Sequence, residues 1–212
     1  MVDIILKVLT PASNFDLLSL EELKVMLGIA DTDTTQDAQL QTYITQYSDI
    51  ISKECNRVFA KEEMKETVRC LQPNRYFVSH WPLKEDDVAS IETPRGSTID
   101  PATYEIEEES GKIEFISSGQ VEPIVVTYTG GYDLPDEAPP ALKAACEILI
   151  REARMWAQRA AVSGIRSLSH KEARVQFFDV AATMAKQGGT GPVTAINEAV
   201  KGLLYHYMRF QV

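Results

Sequence analysis

The side chains best equipped for chemistry in this chain are three histidines, His80, His170 and His206, three cysteines, Cys55, Cys70 and Cys146, and two carboxylate runs, Glu85-Asp86-Asp87 and Glu107-Glu108-Glu109. Metal chemistry asks for ligands at short fixed steps, such as HxH, HExxH or paired CxxC, and none of these spacings occurs. The histidines form no recognised nucleophile–base motif, so a surface or hydrogen-bonded role is expected for each. The cysteines are odd in number and far apart, which suggests neither a disulfide framework nor a zinc site, and all three are expected to act as small buried hydrophobes. Gly130-Gly131 lacks the further glycines of a dinucleotide loop. Gly188-Gly189-Thr190-Gly191 lacks the lysine and hydroxyl that would hold phosphate and magnesium. Both are read as turns or hinges. The Glu85-Asp87 run has no calcium-loop spacing and is read first as solvated charge. No catalytic residue, metal site or cofactor is expected, and the chain is not read as an enzyme.

Charge narrows the function further. The net charge of −10 argues against a protein that grips phosphates by releasing counterions. The balance is uneven, because residues 1–140 carry 11 basic against 26 acidic side chains while residues 141–212 carry 10 against 5. The two parts are therefore expected to face different surroundings. No run approaches the roughly 18 apolar residues that span a bilayer, and MVDIILKVLTP has no small-residue cleavage site, so no membrane partner and no export signal are expected. A reducing cytoplasm is the simplest compartment.

These groups must be carried by elements that the periodicity predicts. Ser19 with Glu22 makes a capping box, Leu20, Leu23 and Leu27 form a stripe, and Gly28 ends a short helix. A longer helix is predicted from about Asp33 or Thr34, with Leu40, Tyr43, Ile44, Tyr47, Ile50, Ile51, Cys55 and Val58 on one face. From about Lys65 the period becomes two. Val68 and Cys70, then Tyr104 and Ile106, alternate with polar neighbours, Ser110-Gly111 offers a turn before Ile113 and Phe115, and Ile124, Val126 and Tyr128 share a face of a last strand. Helix returns after Pro139-Pro140 with Leu142, Ala145, Cys146, Leu149, Ala153 and Trp156. Residues 163–179 fit either a strand or a helix and are read as an extended arm. After the GGTGP break, Pro192 opens a final helix carrying Val193, Ile196, Val200, Leu203, Leu204 and Tyr207.

The expected fold class is α+β, mainly α, with a helical bundle core, an inserted small β-rich subdomain and a C-terminal helix and tail. Its parts are residues 1–64 (N-terminal helices), 65–135 (β-rich insertion) and 136–212 (C-terminal helices, arm and tail), one structural domain with an insertion. The two N-terminal helices and the helix from about Pro140 to Gln158 are expected to pack together, burying Ile50 and Leu149.

In that order, the parts resemble a known family. LLSLEELKVMLGI, the acidic gap DTDTTQDAQL and a helix ending in SKECNRVF resemble the opening of phage head-tail connector adaptors, the ring proteins between portal and tail. The likeness continues through HWPL, VASIE, YEIEEESGKIEF, VVTYTGGYDLPDEAPPALKAACEILI and EAVKGLLYHYMRF, and TYTGGYDLP is its most specific piece. SGIRSLSHKEARVQFFD fits the family only loosely.

The resemblance implies a structural connector subunit in the virion neck, assembled in the host cytoplasm as a homo-oligomeric ring of about twelve copies. Its implied partners are a portal protein on one side and a tail completion or stopper protein on the other, with genomic DNA passing through unbound. A negative lumen would repel phosphates, which makes Glu85, Asp86, Asp87, Glu107, Glu108 and Glu109 candidates for the channel lining. The aromatic-rich end, Tyr205, His206, Tyr207, Met208, Arg209, Phe210, Gln211 and Val212, is the expected portal contact, although Leu203, Leu204 and Tyr207 would equally finish a core stripe. The competing readings are an unrelated acidic oligomeric scaffold and, more remotely, a DNA-binding regulator, which would be expected to present a basic recognition helix.

Overall fold

The structure, a computed structural model, describes residues 4–69, 74–116, 123–161, 167–170, 173–176 and 198–209. The first helix, α1 (Leu20–Leu27), starts where the sequence places it. Ser19 Oγ accepts from the Glu22 N–H at 3.1 Å, and Glu22 Oε2 accepts from the Ser19 N–H at 3.1 Å. Gly28 ends it in the left-handed region at φ +69°, a conformation that suits a residue without a Cβ. The second helix, α2 (Asp37–Glu54), starts a few residues later than its periodicity predicts. Asp33 accepts from the Thr35 N–H and hydroxyl in a short turn just ahead of it.

Helix α3 (Pro140–Ala161) packs on α1 and α2, and α4 (Glu198–Leu204) packs on α3. Their stripes meet in one core that includes Leu23, Ile44, Ile51, Leu142, Cys146, Ile150 and Leu204. Leu149 is buried and Ile50 is half-buried against the same core.

A second core lies between two antiparallel sheets. The first sheet has the order β1 (Ile4–Thr10), β2 (Glu62–Val68), β7 (Ile124–Gly130), β4 (Val88–Glu92), and the second has β3 (Arg75–Phe77), β6 (Lys112–Phe115), β5 (Tyr104–Glu107). Met64, Val68, Ile91, Val126 and Tyr128 from the first sheet meet Tyr76, Ile113 and Phe115 from the second. The β5–β6 hairpin turns at Ser110-Gly111 as predicted, with Glu107 opposite Lys112. In the arm region β8 (Ser167–His170) and β9 (Ala173–Gln176) pair antiparallel. The rest of residues 163–179 lies outside the described residues, as do the GGTGP break and the predicted start of the last helix at Pro192.

The fold class is α+β, and helix does not dominate it, because a full second core is built by sheet alone. Residues 1–64 are likewise not all helical. Ile4–Thr10 extend along β2 from Ile4 opposite Val68 to Thr10 opposite Glu63, since IILKVLT has the β-branched and apolar content of a strand and β2 offers it an open edge. No helix among the described residues is long and apolar enough to cross a membrane.

Candidate functional site

The two cores are stitched together where the chain leaves α2. Asn56 there takes a positive φ of 52°, and the following segment runs beside the end of β7. The Lys61 N–H donates to Tyr132 O at 2.8 Å, the Tyr132 N–H donates to Phe59 O at 2.8 Å, and the Gly131 N–H donates to Pro82 O at 3.1 Å. The Gly130-Gly131 pair allows this approach. A Cβ on Gly131 would lie 2.5 Å from Ala60 O, and one on Gly130 would strike His80 O. The glycines of the TYTGGYDLP stretch thus serve a backbone crossing.

Arg57 lies at the centre of this junction. It is buried, its Nη2 donates to Trp81 O, and its guanidinium stacks 3.5 Å from the Trp81 ring centroid and 4.7 Å from that of Phe59. Burial lowers its pKa to about 10, which leaves it charged at neutral pH. Its Nε and Nη1 have no hydrogen-bond partner.

Inside the sheet core lies a network that periodicity alone does not reveal. On β2 the inward face carries Glu62, Met64, Glu66 and Val68, so two carboxylates share a face with apolar side chains. Glu66 is fully buried and accepts from the Ser79 N–H at 3.0 Å, the Tyr128 hydroxyl at 2.6 Å and the Tyr76 hydroxyl. Tyr128 in turn accepts from the His80 N–H at 3.1 Å. Burial raises the Glu66 pKa against the pull of these donors. Nearby, His80 Nε2 lies 3.2 Å from Glu62 Oε2, with both side chains buried. Burial lowers the His80 pKa, and the Glu62 carboxylate opposes that shift. The signal available in sequence was Glu62 and Glu66 in step with Met64 and Val68. Their partners come from 10 to 62 residues away along the chain.

These groups are enclosed by packed side chains and are structural. The Cys55 and Cys146 thiols are buried, with their pKa values pushed up to about 12 by burial, so they stay protonated and unreactive. Cys70 and the His170 side chain lie outside the described residues. His206 is exposed.

The two carboxylate runs, distant in sequence, come together. Glu85, Asp86 and Asp87 form a 3-10 turn ahead of β4, and Glu107, Glu108 and Glu109 lie at the β5–β6 turn. The Leu83 N–H donates to Glu108 O at 3.0 Å, which ties the segment leading into the first run to the second. Five of the six are exposed, and Asp87 is half-buried 3.5 Å from Lys61 Nζ.

The C-terminal segment reaches the junction. After α4, Tyr205–Tyr207 make a 3-10 turn, the Tyr207 ring meets Phe59 edge-on at 6.4 Å, Met208 packs on the helical core, and the Arg209 N–H donates to Cys55 O at 2.8 Å. Tyr205 and His206 are exposed. Phe210, Gln211 and Val212 lie outside the described residues.

A family model described as "Head completion protein" matches residues 16–161, most of the chain. The chain belongs to the head completion protein family. The match spans α1, α2, β2 to β7 and α3, and with them most of both cores, whereas β1 and everything after α3, including Val200 and Leu204 of the helical core, fall outside it. No curated protein matches. Among solved structures, the chain is similar to a protein in the neck of an empty gene transfer agent (GTA) particle computed with C6 symmetry, with a TM-score of 0.54, 14% identity, and 98% of this chain and 97% of that one covered. It is also similar to one in the neck of the native particle computed with C12 symmetry, with a TM-score of 0.53, 12% identity and the same coverage. A third, in the virion of the native particle, gives 0.51 and 15% over 91% of this chain and 100% of that one. At these identities the likeness is one of fold. The family match, over residues 16–161, is what makes the chain a head completion protein. The reading as an unrelated acidic scaffold is thereby set aside.

Proposed function

We propose that this head completion protein forms a ring of about twelve copies beneath a portal and above a tail completion or stopper protein, with the genome passing through its centre. The role is mechanical and needs no catalysis. The observation that carries the channel part of the reading is the Leu83–Glu108 backbone bond, which sets the approach to Glu85–Asp87 beside the exposed Glu107–Glu109 turn. Several exposed carboxylates within a small region make a surface from which phosphates are repelled, and repetition around a ring would extend that field along the DNA path. The ring itself is supported by family membership and by the C6 and C12 symmetry of the necks that hold similar folds. The portal contact falls to residues 205–212. Tyr207, Met208 and the Arg209 backbone are engaged by the subunit's own core, whereas Tyr205 and His206 are exposed, and we assign the partner contact to these two and the chain end.

Electron microscopy of the purified protein mixed with an isolated portal ring tests the assembly. The expected result is a closed ring on one face of the portal. Replacing Glu85, Asp86, Glu108 and Glu109 with lysine is expected to leave that ring intact while slowing genome passage or trapping DNA. Unchanged passage would count against a channel role for these residues.

A further inference from the structure

Arg57 carries a positive charge into the interior without the acceptors such a charge needs. The residue is 5% exposed, and of its nitrogens only Nη2 has a partner, the Trp81 carbonyl. Nε and Nη1 are enclosed and donate to nothing. No carboxylate among the described residues pairs with Arg57. Glu62 and Glu66 of β2 are engaged elsewhere, the first with His80 and the second with Tyr76, Ser79 and Tyr128. Buried donors without an acceptor are rare in folded proteins because their lost hydration is not offset, and each calls for a group that supplies the acceptor.

Arg209 brings a second cation to the same place. Its N–H bonds to Cys55 O, two residues before Arg57, and the two charges act on each other. The Arg209 side chain is half-buried and has no carboxylate partner among the described residues. The cover at this point is thin. Trp81, Tyr132 and Tyr207 are all half-buried, and the Phe59 ring receives the Arg57 guanidinium at 4.7 Å and the Tyr207 ring at 6.4 Å. The segment that carries Tyr207 and Arg209 continues directly from the exposed Tyr205 and His206.

Guanidinium donors make their strongest hydrogen bonds to an anion. A phosphate of the passing genome would approach against the net charge of −10, whereas a protein partner can present one carboxylate to this spot within a docked interface. Resting on the portal reading above, we propose that Arg57 and Arg209 form the receptor for a carboxylate of the portal, which enters beside Tyr207 and gives the free Nε and Nη1 donors their acceptor. The exposed contact at Tyr205 and His206 then has a charged anchor next to it, of the buried arginine kind that dominates many interfaces.

The test uses the full chain with an isolated portal ring and compares the melting temperature of the chain alone with its affinity for the portal. Arg57→Met keeps the apolar stem and removes the stranded donors, and Arg209→Gln removes a half-buried charge while keeping the backbone bond to Cys55. Both variants should melt close to the parent and bind the portal about tenfold or more weakly. An arginine that served only the fold would lower the melting temperature and leave the affinity of the folded chain unchanged. If Arg57→Met does not fold, Arg209→Gln decides alone. In a second arm the exposed carboxylates of the portal are converted to neutral amides with a carbodiimide and glycinamide, and the parent and Arg209→Gln chains should then bind equally. Undiminished affinity in the folded variants, or a difference between parent and Arg209→Gln that persists on the amidated portal, would overturn the carboxylate anchor and leave the portal contact standing. A parent chain that did not bind the untreated portal would overturn the portal reading and this anchor with it.

Discussion

Glu66 shows what a charged side chain costs and contributes inside a core. It satisfies Tyr76, Tyr128 and the Ser79 N–H together, so removing it strands three buried donors. Glu66→Ala is expected to destabilise the fold by about 2 to 4 kcal/mol in a denaturant titration, and Glu66→Gln, which keeps an acceptor, by about 1 kcal/mol. His80 gives a prediction in pH. Its folded pKa lies below the ordinary 6.5, so the unfolded chain binds the proton first as pH falls. Its contribution to stability is therefore complete above 6.5 and is lost as pH drops from there through the folded value. His80→Gln should flatten this part of the melting-temperature profile relative to the parent. An unchanged difference between pH 7 and pH 5 would exclude His80 as its source. Glu66 acts with the opposite sign. Its raised pKa makes the folded state bind the proton more readily, so its cost grows as pH rises above 4.5 through the folded value.

At the level of elements, two glycines with positive φ separate strain from contact. Gly28 at φ +69° has nothing within 4 Å of where a Cβ would stand, so Gly28→Ala is expected to cost only about 1 kcal/mol, the conformational penalty of the helix end. Gly131 at φ +110° would press a Cβ onto Ala60 O, on the segment that joins the two cores. Gly131→Ala is expected to cost about 3 kcal/mol or more, or to prevent folding, and a loss similar to that of Gly28→Ala would disprove the crossing as a tight spot. The start of α1 offers a smaller check. Ser19→Ala removes one half of the capping box and should lower stability by about 1 kcal/mol.

For the whole molecule, surface charge and the chain end decide what is bound. At a net charge of −10, the isolated protein is expected to leave duplex DNA unretarded in a gel-shift experiment at moderate salt. Retardation there would contradict a channel through which DNA slides. The C-terminal test must respect the packing of the segment. The Arg209 N–H closes onto Cys55 O, so removal of residues 210–212 alone should preserve melting temperature and weaken portal binding, whereas removal from 207 onward should also destabilise the fold. Undiminished docking after the shorter deletion would rule out the tail end as a contact.

The sequence by itself determined what local chemistry can encode. Ser19 and Glu22 are three residues apart and cap one helix end, the stripes of α2 and α3 follow the helical repeat, and Ser110-Gly111 turns a hairpin whose strands adjoin it. Each depends on neighbours within a few turns of chain. The resemblance to connector adaptors was also legible, because it rests on the order of such pieces. What only the tertiary structure decided joins positions far apart. β1 looked like an unassigned apolar start until β2, some 60 residues on, supplied its ladder. Glu62 and Glu66 fall in step with Met64 and Val68, and only the fold brings Tyr76, Ser79, His80 and Tyr128 around them. A backbone bond between Leu83 and Glu108 sets the approach to the first carboxylate run beside the second. Periodicity reports which face a residue occupies. Whether that face meets water, an apolar core or a set of hydrogen-bond donors depends on which distant segment packs against it, and that is settled only when the chain folds.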